Sequence, residues 1–120
     1  MQREQTEEKS LQVIIGEQLS AVTFVQDYVQ LHFDGPCLTV FSHPVIRSGE
    51  QTFYGGKPGF RDALCNTIAK KVTEVRVAYE ESISIRFADG STIHIPLQDA
   101  GRLDGEVVNF DAGGNVWWSL

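Results

Sequence analysis

What most limits the folds open to this chain is a repetition of its own hydrophobic pattern. Setting Ile15 against Ile68 pairs Leu19 with Val72, Val22 with Val75 and Phe24 with Val77. One extra residue within Glu80-Glu81-Ser82 then brings Val29 onto Ile83, Leu31 onto Ile85 and Phe33 onto Phe87. A second, Ala88, restores Asp34-Gly35 against Asp89-Gly90, after which Leu38 meets Ile93 and Val40 meets Ile95. Apolar residues recur at alternate positions within each copy, as in strands with one buried face. Both insertions fall where a hairpin turn absorbs them, and the matched positions are those expected to face inward. The reading is an internal duplication of about residues 15–42 and 68–97. Two unrelated amphipathic meanders with Asp-Gly turns would look alike and predict the same fold.

Each copy reads as three antiparallel strands, the first set at about 18–25, 28–33 and 37–42. Between the copies, Phe60, Leu64 and Ile68 recur every fourth residue through Pro58–Lys71, which predicts one amphipathic helix covering the sheet. Pro58 suits its first turn, and Lys70 and Lys71 suit the negative end of its dipole. Val107, Val108 and Phe110 face Val116, Trp117 and Trp118 across a Gly-rich turn, predicting a C-terminal hairpin. The fold class is therefore α+β, mostly β: two related meanders, a covering helix and a final hairpin, about eight strands in all. A bent sheet, a sandwich and a partly closed barrel all satisfy the pattern.

The 120 residues suit one domain, 11–120, preceded by a polar flexible tail at 1–10 that offers at most a first helical turn. Ten Lys and Arg against sixteen Asp and Glu give a charge of −6, which argues against nucleic acid and anionic membranes as partners. No apolar run reaches the ~20 residues of a membrane span, and the N-terminus has no secretory signal, so a cytoplasmic protein is expected. In that compartment Cys37 and Cys65 read as free thiols rather than a disulfide.

No catalytic motif assembles. His32, Cys37, His43, Cys65 and His94 include no pair two to four residues apart, so no metal site is expected. Cys65 with a histidine and Asp62 would make a nucleophile, but Cys65 borders the apolar stripe of the helix. Gly55-Gly56-Lys57-Pro58-Gly59 has the composition of a phosphate cradle without P-loop spacing, and reads as a surface loop. Asp34 and Asp89 precede glycines at strand ends, the signature of turns rather than of an acid–base pair. No cofactor is expected.

Two features exceed what the fold needs. The eighteen-residue connection 42–59 holds His43, Arg47, Phe53, Tyr54 and Lys57, and unstructured connections beyond ~12–15 residues are often functional. Its alternative role is to cap an open core edge. Trp117 and Trp118 are adjacent in a strand, so only one indole enters a single core directly, and the other meets a cover or another molecule. Together with Arg61, these are the candidate binding residues.

Ile15-Gly16, Asp27-Tyr28-Val29-Gln30-Leu31-His32-Phe33-Asp34-Gly35, Pro58-Gly59-Phe60-Arg61-Asp62-Ala63-Leu64 and Phe87-Ala88-Asp89-Gly90-Ser91 resemble small bacterial single-domain proteins of unknown function. The resemblance implies a cytoplasmic protein of binding or immunity type and supplies no catalytic residues. The function expected is a non-enzymatic binding module that meets a protein partner, or a second copy of itself, through the 42–59 loop and exposed aromatics. An acidic immunity-type inhibitor would meet a basic toxin by complementary charge. The alternative is a small enzyme or ligand-binding barrel whose pocket gathers His32, His43, Tyr54, Arg61 and a carboxylate.

Overall fold

A computed structural model of the chain describes residues 8–78, 81–98 and 107–113, and the main chain of 116–119. Alternation produces strands where it was read. The first meander is β1 (Ala21–Val25), β2 (Tyr28–His32) and β3 (Cys37–Val40). The second is β6 (Val72–Ala78), β7 (Ser82–Phe87) and β8 (Thr92–Pro96). Residues 42–59 are not an unstructured connection: they contain a hairpin, β4 (Val45–Ser48) and β5 (Gln51–Tyr54). Each of these strands carries a single inward apolar side chain, Ile46 or Phe53, too little alternation to announce a strand. The C-terminal hairpin forms as β9 (Val108–Gly113) and β10 (Val116–Ser119), bringing the strands among the described residues to ten, where about eight were expected.

The ten strands make two antiparallel sheets, ordered β1-β2-β3-β9-β10 and β5-β4-β8-β7-β6, and neither closes into a barrel. Their order shows an exchange. The hairpin that follows the first meander joins the second meander's sheet, and the hairpin that follows the second joins the first. Ile46 of β4 stands opposite Ile93 of β8, as Phe110 of β9 stands opposite Leu38 of β3. Inward residues of both sheets, including Leu31, Leu38, Phe110, Ile46, Ile85 and Ile93, form one buried cluster.

The correspondence between the two stretches extends beyond the alternating strands. Gln18 bridges Lys71, and the flanking main chain pairs reciprocally: the Gly16 amide donates to Val72 O as that of Ala69 donates to Leu19 O, and the Leu19 amide donates to Lys70 O as that of Val72 donates to Glu17 O. Upstream, Ile15 N–H to Gln12 O and Glu17 N–H to Ile14 O recur as Ile68 N–H to Cys65 O and Lys70 N–H to Thr67 O. Leu11 and Leu64, both fully buried, thus occupy matching positions in the two stretches. Residues 8–11 are helical and lead into a 3-10 turn, Gln12–Ile14, with Leu11 and Ile14 buried in the core. Residues 1–7 lie outside the described residues.

The helix between the copies, α1 (Phe60–Cys65), is shorter than Pro58–Lys71. It begins after Gly59, whose φ of +88° leaves Pro58 outside. It ends where the Thr67 hydroxyl donates to Leu64 O at 2.6 Å and Ala69 takes φ +78°, turning the chain into its pairing with residues 16–19. Phe60 and Leu64 are buried as expected, and Ile68 packs against the core from the turn.

Polar pairs on the outer faces repeat as well: Gln30 Nε2 donates to Thr39 Oγ1, and Ser84 Oγ meets His94 Nδ1 at 3.3 Å. The turns after β2 and β7 keep an equivalent closing bond, Phe33 N–H to Pro36 O and Phe87 N–H to Ser91 O, despite the extra Ala88. In the longer turn the Asp89 carboxylate accepts from the Ser91 amide at 2.9 Å and from its hydroxyl at 2.6 Å. Those bonds to Ser91 hold the Asp89 carboxyl below its ordinary range.

Ala69 and Gly16 occupy equivalent positions with φ +78° and +90°, and no atom crowds a methyl group at Gly16. Gly16→Ala should therefore lose about 1 kcal/mol of stability in urea unfolding and Ala69→Gly should gain about 0.5–1 kcal/mol, from backbone conformation alone. Asp89 stabilises the fold above the carboxyl's unfolded-state pKa, and this is lost as pH falls through its lower folded-state value. Asp89→Asn should flatten the acid limb of a stability-against-pH curve, and an unchanged limb would show that these bonds carry none of it.

Candidate functional site

The chain passes from the first sheet to the second through residues 41–44, and the first two residues of this crossing are tied to neighbouring segments. The Phe41 amide donates to Val107 O, and the buried Ser42 hydroxyl donates to Pro96 O at 3.1 Å. After β5 the chain returns against this crossing, with the Gly55 amide on Pro44 O at 2.8 Å. The approach requires glycine, because a Cβ at Gly55 would lie 2.9 Å from Pro44 O and 3.1 Å from His43 Cα. Gly56 lies against the His43 imidazole, and Gly59 against the Phe53 ring.

Between this double segment, the β1–β2 turn and the start of α1 lies an open cleft of about 450 Å³. Phe24, Val25, Gln26, Asp27 and Tyr28 line one side, and residues 41–44 and 55–62 the other. The Tyr28 and Phe41 rings meet at 5.5 Å and 59°. The Arg61 guanidinium sits 5.3 Å from the centroid of the Phe24 ring, within the range of cation–π attraction. Phe24 is 37% exposed and Val25 41%, so the wall is apolar and open to solvent. His43, Lys57 and Arg61 face Asp27 and Asp62 around the same opening. Two cations and two carboxylates leave it less acidic than a chain of charge −6. Among the described residues neither Lys57 nor Arg61 is held in an ion pair; the pair present, Arg76–Glu74, lies on β6.

Of the candidate binding residues, the structure therefore brings together His43, Lys57 and Arg61. Phe53 packs against the core and borders a smaller depression with Ser48, Gln51, Asp62, Asn66 and Asp89. Arg47 is exposed on β4, in register with Thr52 and Thr92, and Tyr54 is exposed at the end of edge strand β5, opposite Val45. Trp117 and Trp118 pair by main chain with Asp111 and Phe110, and their side chains lie outside the described residues. His32, a member of the alternative pocket, bonds Thr23 Oγ1 at 3.1 Å on the first sheet rather than lining the cleft.

Sequence reasoning missed Phe24, Val25 and Tyr28, which it absorbed into strands. Their signal was present: Phe24 and Val25 are consecutive, so in a strand of period two one of them must leave the core.

Cys37 and Cys65 are free thiols, and burial pushes the Cys37 thiol up from its ordinary value. Among the described residues no three His, Cys, Asp or Glu side chains gather into a metal-binding group, and no helix is long and apolar enough to cross a membrane. Compared with models of protein families, with curated proteins and with solved structures, the chain matches none.

A methyl group at Gly55 meets main-chain atoms that cannot swing aside. Gly55→Ala should cost about 1–3 kcal/mol in denaturant unfolding, the range for overpacking, and should move the amide resonance of His43. Unchanged stability would mean that the crossing yields without cost.

Proposed function

We propose that this protein is a non-enzymatic binding module whose contact site is the cleft between the β1–β2 turn, the 41–44 crossing and the 55–59 glycine loop. The observation that carries the reading is the solvent-exposed pair Phe24 and Val25 beside a guanidinium that has no carboxylate partner among the described residues. Aromatic and arginine side chains set in a concavity are the usual anchors of protein contacts. The partner is a protein segment, from another protein or from a second copy of this chain, and the acidic remainder of the surface would speed its meeting with a basic partner. The free thiols suit a cytoplasmic setting, and an immunity-type role would use the same surface.

A second reading has one observation in its favour. About 450 Å³ lies within the range of small-molecule sites, and His43 and Arg61 share the opening with two carboxylates. A small-ligand pocket would use these groups.

A random-peptide display selection against the full chain tests the first reading. Selected peptides should lose at least tenfold in affinity on Phe24→Ala, as an anchor worth ~1.4 kcal/mol or more requires, and keep it on Arg76→Ala at the far edge. Selected peptides indifferent to Phe24→Ala would overturn it. Light scattering separates the self-association form, which requires a dimer that Phe24→Ala dissociates.

A further inference from the structure

The two halves handle one equivalent edge position differently, and the difference points to a ligand. In the second half, edge strand β6 turns the Val77 amide outward, where the Glu8 carboxylate accepts it at 2.8 Å and closes the edge. In the first half the equivalent edge residue is Phe24 of β1. The two-residue turn after β1 makes Val25 and Tyr28 the hydrogen-bonded closing pair, so by antiparallel alternation the Phe24 amide also points away from β2. The residue equivalent to Glu8, three positions before the matched leucine, is Arg61. A guanidinium has no lone pair to offer an amide, and among the described residues nothing else accepts from Phe24 N–H. Val77 is 6% exposed and Phe24 37%, so the uncapped edge is also the uncovered one.

We propose that the cleft takes an extended protein segment carrying an acidic side chain, which lies along the outer edge of β1. Its carboxylate would accept from the Phe24 amide and from the Arg61 guanidinium, standing in trans where Glu8 stands in cis in the other half. Lys57 adds a second cation at the same opening, beside Asp27 and Asp62, so the carboxylate is recognised through the Arg61 guanidinium rather than through the net charge of the cleft. Strand addition at a sheet edge, with a pocket for one side chain, is an established mode of peptide recognition.

This inference rests on the binding-module reading, and its test separates the two. A pooled library of pentapeptides with central Glu is compared with its twin bearing central Gln, both titrated into the full chain and followed by amide NMR. The Glu pool should bind about tenfold tighter, from a charge-assisted pair, with the Phe24 amide among the most displaced signals. Arg61→Ala should remove the preference. Arg61→Glu should close the edge in cis: without any peptide it should slow hydrogen exchange of the Phe24 amide, and it should abolish binding of the Glu pool. Equal affinity for the two pools with shifts confined to the cleft would overturn the carboxylate and leave the binding module standing. If neither pool moves a cleft signal, this proposal fails, and the display selection decides the broader reading separately.

Discussion

Four main-chain hydrogen bonds between residues 16–19 and 69–72, arranged around the Gln18–Lys71 bridge, hold the two halves of this chain together. They join the entry to β1 with the entry to β6, so that each meander starts from the other. The bonds are reciprocal, each matched by a counterpart with the halves interchanged, and the left-handed backbone at Gly16 and Ala69 is part of the same device. From this seam the inward faces of both sheets meet in one cluster, and each crossing carries a hairpin to the opposite sheet. The cleft follows from the arrangement, because it forms where the first crossing and the return from its hairpin lie side by side above the β1–β2 turn.

The sequence revealed the meanders because their signal is energetic as well as regular. Val29, Leu31, Phe33, Leu38 and Val40 are all buried, as are their partners Ile83, Ile85, Phe87, Ile93 and Ile95. The β4–β5 hairpin was hidden because sheet edges need few apolar residues: Arg47, Ser48, Gln51 and Thr52 face solvent and read as loop. Of the upstream helical turn only a bare allowance was legible, because Glu8, Lys9 and Ser10 are polar and Leu11 and Ile14 are the side chains that anchor that stretch in the core. Of the candidate site, Lys57 stood out as a charge within a glycine loop, Arg61 as a cation on the predicted helix, and His43 as part of a long connection. Which apolar residues would join them depended on where β1 ends and turns into β2, which alternation does not encode.

A matched architecture also shows where its halves part. Most matched core positions are identical or exchange one aliphatic side chain for another. Glu8 and Arg61 exchange charge, and Val77 and Phe24 exchange burial. The first of these helical residues shields a strand edge with its own carboxylate; the second lays a cation on an aromatic ring and leaves the main chain beside it open. Shielding is what a sheet edge needs to stay solitary. Its absence on one side only is a local departure within an otherwise matched frame.

The exchange of hairpins has a further consequence, for the order in which the chain acquires structure. The sheet begun by β1 is completed by the last two strands, β9 and β10. During synthesis from the N-terminus, β3 remains a bare edge until β9 has been made, and the inner face of the first meander has only part of its cover. The pairing that closes the sheet also spans the greatest sequence separation, where loop closure costs most entropy. A nascent chain of this design gathers its first meander early but completes its first sheet only once β9 and β10 have been made, and loss of those two strands would uncover β3 in the half made first.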